Sequence, residues 1–344
     1  MPTILAIETS CDESASAVVQ DRRVLSSIIS SQIVTHRITG GIVPEVASRE
    51  HLQTLNLVIA QALEQASVRW ADIDAIAVTC APGLVGSLLM GAMVAKTLAL
   101  IHDKPLLAIH HHEGHIYSAF LSDPQLEPPF LCLLVSGGDT RLVAVEGYGQ
   151  YRLLGQTRDD AVGEAYDKVA RMLNLGYPGG PAIDQLAQRG NPKAFPLPRG
   201  KLDHLYDMSF SGLKTAVLRL VEKHHAQNLP LDAADLAASF QRTVVEVLTD
   251  RVLRAMESLS YDTVVVAGGV SANQGLRKRL GVVTEQRGGR AIFPPMAYCT
   301  DNAAMIGCAA SQRYVQGYRS HLNVGVFSRL SLQAIDDLYD ESKA

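Results

Sequence analysis

The sequence predicts an α/β protein built of two similar lobes with a cleft between them. Three observations predict it. The 344 residues are long enough for two domains of ordinary size. The composition is 47% hydrophobic but only 6% aromatic, with 27 glycines, which suits helices packed closely on sheets. Most informative, one pattern of elements occurs twice along the chain.

The first copy opens with ILAIE, an apolar run at 4–8 that reads as a strand, followed by the turn TSCDES at 9–14. A second strand, SAVVQ, a turn at Asp21 and Arg22, and a third strand, VLSSIIS, complete a three-stranded meander. A helix over 44–66 follows, then the strand AIAVTC, a helix over 83–101 and the strand LLAI at 106–109. The 83–101 run is apolar but carries Lys96 and several small residues, so it reads as a buried helix and not as a membrane span. The second copy begins at Phe130. FLCLLV, the turn SGGDT, RLVAVEG and YRLLGQT form the meander, helices over 162–175 and 233–258 follow, and the strand TVVVAGG, a helix after Ser271 and the strand AIF complete the unit. Two β-β-β-α-β-α-β copies divide the chain into an N-terminal lobe, 1–124, and a C-terminal lobe, 125–344, with inserted helices and a loop around 190–212.

Charge and cysteines narrow the class. The net charge of −4 argues against binding nucleic acid through bulk attraction, so any such contact must be local. The five cysteines form no C-x-x-C pair, which fits a reduced cytoplasm. The start, MPTILAIETSCDES, lacks a basic segment ahead of its apolar residues and reads as a first strand, not a signal peptide.

The strongest chemical signal is a histidine cluster at His110, His111, His112 and His115, directly after an apolar strand. Ligands bind at strand ends in α/β proteins. His111 and His115 are four apart, so on a helix both imidazoles share one face and can hold one metal ion. The zinc-protease motif H-E-x-x-H requires the glutamate directly after the first ligand. Here Glu113 is two residues beyond His111, which disfavours a metalloprotease. A third ligand must come from elsewhere. Asp301, at the start of another helix and expected in the other lobe, is the best candidate, although an N-cap accounts for an Asp there equally well.

Three turns are rich in small residues. Thr9, Ser10, Asp12 and Glu13 occupy the first meander's turn, and Ser136, Gly137, Gly138, Asp139 and Thr140 occupy its echo. Bare backbone amides and hydroxyls there suit phosphate, although plain hairpin turns have the same composition. Gly268 to Asn273 joins a strand to a helix, a junction that favours anions. It lacks the G-x-G-x-x-G spacing of dinucleotide folds. Asp167 and Asp184 flank the Gly-rich link at 176–181, where acids can bind ribose hydroxyls or simply face solvent.

Nine segments, in order, carry a family resemblance: IETSCDES (7–14), GGIVPEVASREH (40–51), APGLVGSLLMG (81–91), HHEGH (111–115), LVSGGDT (134–140), YPGGPAID (177–184), SFSGLKTA (209–216), GGVSANQGLR (268–277) and DNAAMIG (301–307). Together they resemble the universal tRNA adenosine threonylcarbamoyltransferases, formerly labelled O-sialoglycoprotein endopeptidases. The resemblance implies the actin/sugar-kinase/heat-shock ATPase (ASKHA) fold, which is a duplicated ribonuclease H-like architecture. It implies transfer of a threonylcarbamoyl group from threonylcarbamoyl-AMP to the N6 amine of the adenosine beside the anticodon, in tRNAs reading codons that begin with A, with release of AMP. His111, His115 and Asp301 would hold a divalent metal, iron (Fe2+) or alternatively zinc (Zn2+). Leu134, Val135, Ser136, Gly137 and Gly138 would hold the donor's phosphate, and Asp167, Gly180, Asp184 and Asn273 its nucleoside. The expected partners are tRNA, a shorter actin-fold paralogue and a small ATPase, with no membrane.

Three positions depart from the family pattern: Asp139 stands where many members have His or Asn, Ala81 replaces the more usual glycine just before the P-G-L-V-G turn, and Leu134 stands where some archaeal members have a metal-binding tyrosine. No Ser–His–Asp or Cys–His arrangement is evident, which favours direct transfer without a covalent enzyme intermediate. Asp12 and Glu13 are the candidates to position the amine or take its proton. For RNA, the basic candidates are Arg189, Lys193, Arg199 and Lys201, with Arg277, Lys278 and Arg279 as a second cluster. An actin-fold ATPase or kinase would use carboxylate-held magnesium and need no histidine pair. A non-catalytic scaffold would be expected to lack the pair.

Overall fold

The computed structural model describes residues 1–200 and 202–339, and its contacts divide the chain into two compact units. One comprises 1–126, 148–151 and the segment from Pro294 onward; the other comprises 127–147 and 152–293. Each contains one five-stranded sheet.

In the first unit β1 (Thr3–Glu8), β2 (Glu13–Gln20) and β3 (Arg23–Ser31) form the expected meander, and β4 (Ala75–Ala81) and β5 (Leu106–His110) extend it in the order β3-β2-β1-β4-β5. β1 pairs antiparallel with β2 and parallel with β4. The sheet is covered on both faces, which is why β1 and β4 read as unbroken apolar runs and not as alternating ones. Helices α1 (Ile33–Thr39), α2 (Pro44–Ala66), α3 (Val85–Ile101) and α4 (His111–Tyr117) follow the chain. α2 reaches one face through His51, whose ring meets Ser14 of β2 at 2.7 Å. The opposite face is covered by a late helix. A Cβ at Gly307 would stand 2.7 Å from Val19 Cγ2 and 3.3 Å from Ala6 Cβ, so that glycine lets the helix lie against β1 and β2.

In the second unit β6 (Phe130–Val135), β7 (Thr140–Gly147), β8 (Gln150–Gln156), β9 (Thr263–Ala267) and β10 (Arg290–Ile292) take the order β10-β9-β6-β7-β8. That is the first sheet's order, strand for strand. Around it lie α5 (Val162–Met172), α6 (Gly179–Ala187), α7 (Ser211–Ala226), α8 (Ala233–Leu259) and α9 (Gln274–Glu285). Their core joins Leu131, Leu133 and Val135 of β6 to Tyr166, Ile183, Phe240 and Leu248 of the helices. Between α6 and α7 the described residues form no helix or strand beyond an isolated bridge from Met208 to Thr157, consistent with the loop expected around 190–212.

One expected boundary differs. The sequence reading assigned all of 125–344 to one lobe, but the covering helix, α10 (Ala303–Val315), packs in the first unit. Asp301 therefore belongs to the same unit as the histidines, not to the other lobe. The cause is burial: a sheet apolar on both faces needs a second cover, and the local sequence of 1–124 supplies only one. No helix among the described residues is long and apolar enough to cross a membrane.

Candidate metal centre and nucleotide half-site

β5 ends at His110, which caps α4: its Nδ1 accepts the backbone N–H of His112 at 3.2 Å, and its Nε2 lies 3.0 Å from the Leu330 carbonyl. α4 then places His111 and His115 one turn apart, with ring centroids separated by 4.6 Å. Asp301 Oδ1 lies 3.1 Å from His115 Nε2 and 3.5 Å from His111 Nε2. One ligand atom from each residue lies within 4.8 Å of the others. Two imidazole nitrogens and a carboxylate oxygen suit iron or zinc, and ligands about 2.1 Å from a shared ion stand roughly 3 Å apart, so this donor set fits a divalent metal. Burial works to raise the Asp301 pKa, but the imidazoles of His111 and His115 outweigh it and hold the carboxyl well below the usual range. Asp301 is not the N-cap of α10. Asn302 takes that role, its side chain accepting the Met305 N–H at 2.9 Å. The Asp301 carboxylate is thereby left to the histidines.

Glu113 points away from this face of α4. It is fully buried against Arg313 of α10, with Nη2 2.8 Å from Oε1, and it accepts the Tyr151 hydroxyl at 2.7 Å. The glutamate that disfavours a protease motif is thus committed to holding α4 on α10.

The acids of the first turn share this electrostatic neighbourhood. Burial raises the Asp12 pKa and the negative charge of Asp301 adds to it. Burial likewise pushes Glu13 up to about 8, against a hydrogen bond donated by the Ser31 hydroxyl at 2.8 Å. Sequence reasoning missed Glu8, the last residue of β1. It is wholly buried; its Oε1 accepts the Ser10 N–H at 2.6 Å, and its Oε2 accepts the Thr79 hydroxyl and lies 3.2 Å from His111 Nδ1. Burial works to raise its pKa, but the neighbouring His111 prevails and lowers it. The available signal was a carboxylate closing an otherwise apolar strand.

In the second unit, Leu134 and Val135 end β6 with buried side chains, so only their backbones can serve a ligand. Ser136 and Asp139 close the next turn on each other: the Ser136 N–H donates to the Asp139 carbonyl at 2.8 Å, and the Asp139 N–H donates to Ser136 Oγ at 3.0 Å. The Asp139 carboxylate is paired with Arg141 at 2.7 Å, which offsets the negative charge that this departure introduces. A Cβ on Gly137, Gly138 or Gly180 would meet nothing within 4 Å, so their neighbours do not demand glycine. Gly268 differs: its φ is +89°, and a Cβ would stand 2.4 Å from the Val135 carbonyl oxygen. That close approach brings the two Gly-rich turns of this unit together.

The side chains of Asp167, Asp184 and Asn273 are each engaged in hydrogen bonds to neighbouring residues. Asp167 Oδ1 accepts the Gly179 N–H at 2.7 Å at the start of α6. Asp184 accepts Gln241 Nε2 at 2.9 Å and the Gln274 N–H at 3.0 Å. Asn273 caps α9 through the Leu276 N–H at 2.8 Å and donates to Gln241 Oε1 at 2.8 Å. Gln241, also unforeseen, links Asp184 to Asn273; it stands out as an amide within the buried run LAASFQ of α8. Of the basic candidates, Arg199 is paired with Glu246 at 2.5 Å, Arg277 donates to the Ser271 carbonyl at 2.7 Å, and Lys201 lies outside the described residues.

Two matching α/β units, one bearing a His/His/Asp group and the other paired Gly-rich turns, define an actin-like protein with a candidate metal centre. Solved structures agree on the fold. T. kodakarensis HypF matches with a TM-score of 0.63 at 14% identity, over 98% of this chain and 49% of that longer one. Component A of the Acidaminococcus fermentans (R)-2-hydroxyglutaryl-CoA dehydratase matches with a TM-score of 0.54 at 17% identity, over 92% of this chain and 99% of that one. A family model described as tRNA N6-adenosine threonylcarbamoyltransferase matches residues 23–308. Proteins of that name from Gloeobacter violaceus and Nostoc punctiforme are 70% and 58% identical, each over 98% of this chain, covering 98% and 99% of their own lengths. The chain belongs to the tRNA N6-adenosine threonylcarbamoyltransferase family, and it is a transferase that modifies adenosine N6 in tRNA.

Proposed function

We propose that this chain transfers the threonylcarbamoyl group of threonylcarbamoyl-AMP directly to the N6 amine of the adenosine beside the anticodon, in tRNAs reading codons that begin with A. The observation carrying this reading is the convergence of His111, His115 and Asp301, a group that a kinase or chaperone ATPase of the same fold does not need. His111, His115 and Asp301 would hold a divalent ion, Fe2+ or alternatively Zn2+, which when bound would supply Lewis acidity toward the carbamoyl carbonyl. The amides of Ser136, Gly137 and Gly138, following Leu134 and Val135, cradle the donor phosphate, while Asp167, Gly180, Asp184 and Asn273 shape the nucleoside subsite. HypF, which shares this fold at 15% identity and a TM-score of 0.59, was solved in a phosphate- and nucleotide-bound form, which supports a nucleotide ligand here.

In the reaction the amine nitrogen attacks the carbonyl carbon. The new C–N bond forms, the bond from carbon to phosphate oxygen breaks, and AMP leaves with the electron pair. Asp12 and Glu13 orient the amine and receive its proton. A carboxyl near 8 suits that exchange at neutral pH. The shorter paralogue and the small ATPase are the proposed partners, and the five free cysteines suit a reducing cytoplasm. The test replaces His111 or His115 by Ala and measures bound metal, folding and transfer. Loss of metal and transfer in a folded protein is expected; wild-type metal content in a folded variant defeats the assignment.

A further inference from the structure

We propose that Glu8 is a positioning residue for the metal centre: its carboxylate holds the proton of His111 on Nδ1, which leaves the Nε2 lone pair turned toward Asp301 and His115. The inference rests on the reading of those three residues as metal ligands and deepens it. Glu8 is wholly buried, and each oxygen has a defined task. Oε1 accepts the Ser10 N–H at 2.6 Å, a backbone donor that cannot reverse its role. Oε2 accepts the Thr79 hydroxyl and faces His111 Nδ1 at 3.2 Å. Ser10 Oγ, 3.1 Å from the same nitrogen, is a second oxygen able to accept its proton.

An imidazole that carries its proton on Nδ1 has its lone pair on Nε2. That nitrogen lies 3.5 Å from Asp301 Oδ1. An outer carboxylate that fixes tautomer and ring orientation raises the basicity of a ligand imidazole, and its loss typically weakens metal binding 10- to 100-fold.

Glu8→Gln makes a sharp test because the Ser10 N–H dictates how the amide must sit. The amide oxygen has to replace Oε1. Its NH2 group then occupies the Oε2 position, donates to His111 Nδ1 and drives the ring proton to Nε2, where it blocks the metal face. The Thr79 hydroxyl rotates to accept. The fold is retained because the side chain is nearly isosteric, and thermal unfolding of the variant verifies this.

The experiment has two readouts. Ring-nitrogen NMR of metal-free protein labelled at histidine, with His111 assigned through a His111→Asn variant, reports the tautomer at mildly alkaline pH. The wild type is expected to carry Nδ1–H and Glu8→Gln to carry Nε2–H. Titration with Co2+, followed by its visible absorption, is expected to show binding weakened 10- to 100-fold in Glu8→Gln. A wild-type His111 protonated on Nε2 overturns the proposal even if the variant fails to fold. Unchanged tautomer and affinity in a folded Glu8→Gln overturn it too. If the wild type binds no Co2+, the metal reading is what fails, and the ring-nitrogen spectra still judge Glu8 on their own.

Discussion

At the scale of single residues, two neighbours at the start of α10 have separable tasks. Asn302 caps the helix, and Asp301 meets the histidines. Asp301→Ala is therefore expected to lose bound metal with little change in unfolding temperature, and Asn302→Ala to cost about 1 kcal/mol of stability while keeping its metal. Elemental analysis beside thermal denaturation separates the two, and equal effects in both variants would refute the division. Glu13 makes a pH prediction. Its folded pKa, about 8, is raised above the ordinary 4.5, chiefly by burial. The fold therefore favours the uncharged form; this stabilising contribution is complete below pH 4.5 and is lost as pH rises through 8. Glu13→Gln should remove that loss. The variant's stability relative to wild type should climb between those two pH values, measured by urea unfolding at several pH settings; a flat difference would exclude the buried-carboxyl account.

At the scale of elements, two of the candidate metal ligands stand on α4 and the third, Asp301, directly precedes the N-cap of α10, and a buried ion pair holds these two helices together. Arg313 of α10 contacts Glu113 of α4 through Nε and Nη2, and both residues are buried. Arg313→Met leaves Glu113 as an uncompensated charge and is expected to cost about 3–5 kcal/mol. Adding Glu113→Leu should recover much of that, because a buried pair repays little beyond its own desolvation. Chemical denaturation of the single and double variants decides it: a double variant as unstable as Arg313→Met would mean that the pair supplies net stability. α4 itself was foreseeable from the spacing of His111 and His115, but its partner helix was not. The contact spans 200 residues of chain, and nothing in HHEGH says which distant arginine will meet its glutamate.

At the scale of the whole molecule, a net charge of −4 means that tRNA cannot be held by bulk attraction. Binding by this chain alone is expected to be weak, to fall steeply with salt and to strengthen when the shorter paralogue is added. Reversing Lys193 to Glu should lower modification and leave AMP affinity intact; filter binding across a salt series with a parallel modification assay checks this, and salt-independent binding would contradict it. Arg199 is a poorer candidate than its charge suggests, since Glu246 already engages it. The sequence by itself determined the duplicated α/β fold and the family. Strand composition and glycine placement are local properties, and nine motifs in order leave little room for another family. It also pointed to His111 and His115, four residues apart on one helix, and to Asp301 as a third ligand. Only the tertiary structure decided that the chain from Pro294 onward completes the first unit, that Asn302 and not Asp301 caps α10, and that Glu8 and Gln241 support the two candidate sites. The Asn302 cap is local, accepting the Met305 N–H three residues on, but Asp301 and Asn302 are both good capping residues and the local sequence does not choose between them. The other three share one physical reason: each depends on burying a surface or satisfying a buried polar group across a long stretch of chain, and such needs appear only once the elements have packed.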